Sequence, residues 1–156
     1  MTISFVGHSC VNSRKRVREI VKEQIQNITI DTDVVTCYLG GYGDFDEICA
    51  SVCRELKKVC KNIDVVYVTP YISLSEQLKI REMLNRGLYD RSIYPPIENV
   101  PPKFAIIRRN EWMVKNADIV IAYINHSYGG AYRSFEAAKQ NKKKIVNICD
   151  FFKKEI

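Results

Sequence analysis

Apolar and polar positions alternate between two periods along the whole chain, one of about two residues and one near 3.6. Ile3 to Val6 is a short apolar run ending at Gly7-His8-Ser9, after which Val17, Ile20, Val21 and Ile25 recur at helical spacing between Ser13 and Gln26. Val34 to Leu39 predicts a second strand, and Asp44 to Lys61 a second helix with Phe45, Ile48, Cys49, Val52, Cys53, Leu56 and Cys60 as its apolar positions. A third strand, Ile63 to Val68, is stopped by Thr69-Pro70. Ser75 to Asn85 reads as a helix with Leu78 and Met83 or Leu84 turned inward and Gly87 as its stop. Between about 87 and 103, Tyr89, Tyr94, Pro95, Pro96, Pro101 and Pro102 predict an extended excursion without regular structure, the kind of loop that covers a ligand. The alternation resumes with a helix from Lys103 to Asn116, a strand from Ile119 to Ile124, a helix from Tyr132 to Gln140 and a last strand from Lys144 to Cys149.

Strands joined by helical crossovers imply an α/β fold: a doubly wound, mostly parallel, five-stranded Rossmann-like sheet, because parallel neighbours cannot be joined by tight turns. Ligands in that architecture bind beyond the carboxyl ends of the strands. Those ends carry Gly7-His8-Ser9, the stretch from Gly40 to Asp46, Thr69-Pro70, and Asn125 to Gly130 with Ser127 between. Two of them are glycine loops leading into helices: Gly40-Gly41-Tyr42-Gly43 before Asp44-Phe45-Asp46, and Gly129-Gly130-Ala131 before Tyr132-Arg133-Ser134-Phe135-Glu136. Glycine lets the backbone approach an anion closely, and the following helix presents unpaired N–H groups and its positive dipole end to the same point. Two such loops point to a nucleotide-like ligand.

Composition narrows the setting. A chain of 156 residues, 46% of them hydrophobic, suits one domain spanning 1–156. It opens directly on an apolar strand, with no basic leader region and no run long enough to cross a bilayer, so the expectation is a cytoplasmic protein without a membrane partner. Of the six cysteines, Cys37, Cys49, Cys53, Cys60 and Cys149 fall in helix and strand patterns as small buried hydrophobes, and neither C-x-x-C pairs nor clustered histidines occur, so no metal or cofactor is expected. The net charge of +6 is dispersed, with bases and acids interleaved in most places, which reads as a solvated surface and argues against nucleic acid as a partner.

Several segments together resemble a known family. Phe5-x-Gly7-His8, then Gly41-x-Gly43-x-Phe45-Asp46, then Arg109-Asn110-x-x-Met113 followed by Ala117-Asp118, an apolar strand and Gly129-Gly130, resemble the SLOG superfamily and within it the small YpsA-like branch. The resemblance covers nearly the whole chain. Gly129 to Glu136 is similar to the G-G-x-G-T-x-x-E motif of the related LOG phosphoribohydrolases, with Tyr132 and Arg133 in place of its third glycine and threonine, and Asn110 in place of the lysine of R-K-x-x-M. The resemblance implies a pocket for a nucleotide or an ADP-ribose-like nucleotide-sugar, held by a sensor, carrier or sequestering protein. The alternative is an N-glycosidic hydrolase of nucleoside monophosphates, with Glu136 stabilising an oxocarbenium-like state and Arg109 binding phosphate or pairing with that carboxylate. Asp46 is similar to the family acid near the ribose, Asp44 is a candidate helix cap, His8 a ligand hydrogen-bonding group, and Tyr132 a stacking ring beside the loop. Single-stranded nucleic acid binding is a third reading, with affinity that falls steeply with salt. The family's habit of pairing through helices suggests a homodimer, to which Phe151-Phe152 would contribute.

Overall fold

In the computed structural model, which describes residues 1–155, all strand pairings are parallel and each connection passes through a crossover. The elements are β1 (Thr2–Gly7), α1 (Arg14–Ile30), β2 (Val35–Leu39), α2 (Gly43–Lys57), β3 (Ile63–Val68), α3 (Leu74–Asn85), β4 (Arg91–Ile93), a 3₁₀ turn (Pro102–Phe104), α4 (Ala105–Lys115), β5 (Ile119–Tyr123), α5 (Gly129–Gln140), β6 (Lys144–Asn147) and α6 (Cys149–Lys153). The strand order β4-β3-β2-β1-β5-β6 makes β1 the centre, from which the chain winds outward first one way and then the other. Ile3 lies opposite Cys37 of β2 and Ile119 of β5, which sets the register across this centre. Such a reversal leaves a crevice between the carboxyl ends of β1 and β5.

Burial on both faces explains why the strands are apolar almost throughout. Ile3, Phe5, Cys37 and Val65 pack with Val17, Ile20 and Val21 of α1 and Phe45, Cys49 and Val52 of α2. On the opposite face Val6, Val120 and Ala122 meet Val114 of α4 and Ala138 of α5, while Val66 and Val68 cover Met113. Cys37, Cys49 and Cys53 are buried free thiols within the first of these layers, whereas Cys10 is exposed. No helix among the described residues is long and apolar enough to cross a membrane.

The fold expectation stands with several changes. The sheet has six strands, since Arg91–Ile93 pairs with Val66–Val68 inside the segment expected to be irregular. An edge strand needs partners on one side only, and the prolines begin after it. Leu78, expected inward, is 53% exposed; Ile80 is the buried residue of α3, which lies at the sheet's margin. Gly87 does end that helix, with its own N–H bonded to the Leu84 carbonyl and the Leu88 N–H to that of Met83. The last strand stops at Asn147 and Cys149 opens α6, which packs Phe151 and Phe152 partly buried against the main core. The most consequential change is in α5, which begins at Gly129, three residues before the apolar pattern starts it.

Candidate functional site

A cleft of about 800 Å³ lies over the carboxyl ends of β1, β2 and β5, within the size range of small-ligand sites. Of the residues singled out in the sequence, it is lined by Gly7, His8, Ser9, Gly40, Gly43, Phe45, Asp46, Arg109, Asn110, Asn125, Gly129, Gly130 and Ala131. The two glycine loops meet here, but they are not equivalent.

The first loop is closed by the protein itself. Asp46, in the first turn of α2, turns its carboxylate back so that Oδ1 accepts from the Gly40 N–H at 3.0 Å and Oδ2 from the Gly41 N–H at 2.7 Å. The amides that were expected to cradle a phosphate already hold an anion. Desolvation pushes the Asp46 pKa up, against the opposing pull of these two N–H groups and of Arg109. Arg109 is 1% exposed and braces the same loop: Nη1 donates to the Gly40 carbonyl at 2.9 Å and to the Val68 carbonyl at 2.7 Å, and Nε donates to Asn110 Oδ1 at 2.8 Å. Burial lowers its pKa, opposed by Tyr67 and Asp46 nearby. Gly7 serves packing, since a Cβ there would stand 2.2 Å from the Phe45 ring. Asp44 does not cap α2; the N-cap is Tyr42, without a side-chain bond. Its Oδ2 instead accepts from the Val11 N–H at 3.1 Å and its Oδ1 pairs with Arg14 at 2.9 Å, tying the loop after β1 to α2.

The second loop is open. Gly129 adopts φ +89° and starts α5, Tyr128 is an N-cap without a side-chain bond, and the first turn contains no acid. Gly129 and Gly130 are exposed, and a Cβ on either would meet nothing within 4 Å. The first N–H groups of this helix therefore lack the carboxylate that fills the other loop, and the dipole favours an anion in front of them. Two exposed rings flank the cleft: Tyr42, 55% exposed, and Tyr128, 70% exposed. Between the loops, His8 Nε2 and His126 Nδ1 share a hydrogen bond of 3.0 Å whose donor depends on the tautomer. Burial first, and then His126, hold His8 below the usual histidine pKa.

The other predicted residues lie elsewhere. Gly41 adjoins the cleft without lining it. Thr69 and Pro70 are buried, and Thr69 Oγ1 donates to the Tyr71 carbonyl at 3.0 Å. Ser127 and Tyr132 line a second cavity, and Arg133 is exposed outside both. Glu136 lies in the second turn of α5, outside the cleft, where Oε1 accepts from Lys139 Nζ at 2.9 Å and that bond lowers its pKa. Tyr42 and His126 are the residues that sequence reasoning missed here. Tyr42 carried a signal, an aromatic residue set among glycines, whereas His126 is paired only through a partner 118 positions away.

Fold and cleft together define a Rossmann-like α/β architecture with the cleft at the topological switch point. No protein-family model and no curated protein matches the sequence. Among solved structures the chain is similar to DNA processing protein A from Helicobacter pylori, described for its single-stranded DNA binding mode, with TM-score 0.60 and 14% identity over 93% of this chain and 63% of that one. It is also similar to DNA processing protein A (DprA) from Streptococcus pneumoniae, with TM-score 0.62 and 12% identity over 92% of this chain and 48% of that one. The chain thus spans less than two-thirds of either neighbour's length, and at these identities the likeness is one of fold. The finding nevertheless corrects two expectations. The neighbours are DNA processing proteins, one studied with single-stranded DNA, which stands against an ADP-ribose-like ligand or N-glycosidic hydrolysis and against setting nucleic acid aside.

Proposed function

We propose that this chain binds single-stranded nucleic acid, laying one phosphate on the open N-terminus of α5 and neighbouring bases on Tyr42 and Tyr128. The observation that carries this reading is the unequal state of the two glycine loops: Asp46 fills the first, while the second presents unpaired amides beside exposed rings. One anion site flanked by aromatic faces matches the repeating unit of a strand, a phosphate followed by a base. Proteins that take single strands without sequence preference combine a cationic surface with such stacking platforms. The net charge of +6 and the single-stranded DNA binding described for the Helicobacter pylori neighbour support the same reading. Membership of the SLOG superfamily and its YpsA-like branch, a cytoplasmic location and pairing into a homodimer belong to the same proposal.

The test is fluorescence anisotropy of a labelled oligothymidylate titrated with protein at several salt concentrations. Binding is expected to weaken linearly on logarithmic axes, with a slope of about −0.7 per phosphate neutralised. The same sequence as a duplex is expected to bind more weakly, because its bases are stacked away from the rings. Absence of binding at low salt, or affinity indifferent to salt, would overturn the reading.

A further inference from the structure

A second cavity, of about 550 Å³, opens on the far side of the ridge that borders the cleft. Asn12, Asn125 and His126 line both spaces, so the two are separated by little more than the thickness of these side chains. The wall of the second cavity is aromatic rather than aliphatic: Tyr123, Tyr132, Phe135 and Phe152 contribute to it. Lys139 and Lys153 stand at its edge, and none of its described lining residues is a carboxylate.

One rigid element connects the two spaces. The first residues of α5, Gly129 and Gly130, face the cleft, while Tyr132, Phe135 and Lys139, spaced three and four residues apart along the same helix, line the second cavity. Tyr132 and Phe135 are half-buried: they rest against the core beneath α5 and leave ring surface for the cavity, their centroids 6.3 Å apart. Lys139 Nζ sits 4.6 Å from the Phe135 ring centroid while it donates to Glu136 Oε1 at 2.9 Å, so an ion pair borders the aromatic wall. The opposite side is held by Asn147, whose Oδ1 accepts from the Ile124 N–H at 3.1 Å and whose Nδ2 donates to the Ile124 carbonyl at 3.0 Å. That amide is committed to joining β5 to β6, and Lys139 and Lys153 are paired with Glu136 at 2.9 Å and Asp150 at 3.1 Å, which leaves the rings to meet a ligand.

We infer that this cavity is a second subsite for the strand, receiving one nucleobase against the rings of Tyr132 and Phe135 while the adjoining phosphate rests across the ridge on the N-terminus of α5. The inference rests on the reading of the chain as a single-strand binder. A nucleobase fits the chemistry better than an aliphatic ligand, because it presents a flat π-face to the rings. The shared ridge makes the two subsites neighbours on the scale of one nucleotide.

The test places a single 2-aminopurine in an oligothymidylate, and separately a single abasic site, and measures affinity and fluorescence with the wild-type chain and with Phe135→Leu and Tyr132→Leu. Leucine keeps the apolar volume and removes the π-face. Stacking in the cavity predicts quenching of 2-aminopurine by the wild-type chain and its loss in either variant. It predicts a loss of affinity of about tenfold in the variants, and a similar loss for the abasic strand with the wild-type chain. Ser127→Trp, which would block the cavity from an exposed position, is expected to reproduce the loss, so the test does not depend on the folding of the core variants alone. If the wild-type chain binds the strand but neither the abasic site nor the three variants changes affinity or quenching, the second subsite is wrong while the strand-binding reading stands. If the wild-type chain binds no strand at low salt, both fail.

Discussion

Replacing Asp46 with alanine removes the internal anion from the first glycine loop, and the two bonds it makes do not weigh alike. Gly40 is buried, so its N–H would lose the carboxylate at 3.0 Å without gaining water, at about 1.5–3 kcal/mol for a bond to a charged acceptor. Gly41 is exposed, so water replaces most of what its 2.7 Å bond supplied and the loss there is about 0.5–1 kcal/mol. Together they amount to about 2–4 kcal/mol at most, since the change also relieves the burial that raises the carboxylate's pKa, and at about 2–4 °C per kcal/mol for a chain of this size the Tm should fall by up to about 10 °C. The same change removes a negative charge from the cleft and frees the exposed Gly41 amide, so oligonucleotide affinity should rise while stability falls. Circular dichroism melting at pH 7, paired with anisotropy titration of the same sample, reads both quantities. A Tm within about 2 °C of the wild-type value would refute the argument that this carboxylate holds the loop. Lower stability accompanied by weaker binding would refute the claim that Asp46 occupies the phosphate position.

Four further predictions follow from named contacts. Tyr42→Ala and Tyr128→Ala should each weaken oligothymidylate binding about tenfold with little change in Tm, because the rings are 55% and 70% exposed and support little of the core; anisotropy and melting check this together. Gly7→Ala should lower stability by about 1–3 kcal/mol in urea unfolding, since its Cβ would lie 2.2 Å from the buried Phe45 ring. Because His8 is held below the usual value of 6.5, the unfolded chain takes up its proton first as the solution is acidified. The stability contributed by neutral His8 is thus present above pH 6.5 and lost as pH falls through the folded value, and His8→Gln should flatten the decline in Tm between pH 7 and pH 5. Glu136→Gln should not weaken oligonucleotide binding, since its carboxylate lies outside the cleft and pairs with Lys139; a large loss would place Glu136 in the site after all.

By itself, the sequence determined the α/β alternation, the parallel doubly wound sheet and the rim over which the cleft opens. Each of those rests on local periodicity or on connectivity, and both are written along the chain: apolar runs such as Ile63–Val68 bury two faces, and a parallel neighbour requires a crossover. The tertiary structure decided what happens at that rim. Whether Gly40 and Gly41 offer free amides depends on where the Asp46 side chain turns, which hydrogen-bond geometry settles and residue type does not. The start of α5 shows the same division. Glycine lowers helix propensity, so the pattern begins the helix at Tyr132, but in the folded chain it starts at Gly129, and Glu136 lies outside the cleft. Likewise β4 exists because Val66–Val68 presents an edge for Arg91–Ile93 to join, and the His8–His126 pair because the ends of β1 and β5 are neighbours. Periodicity records which face of an element is buried; which polar groups meet is a matter of register between segments distant in sequence, and only the folded chain sets it.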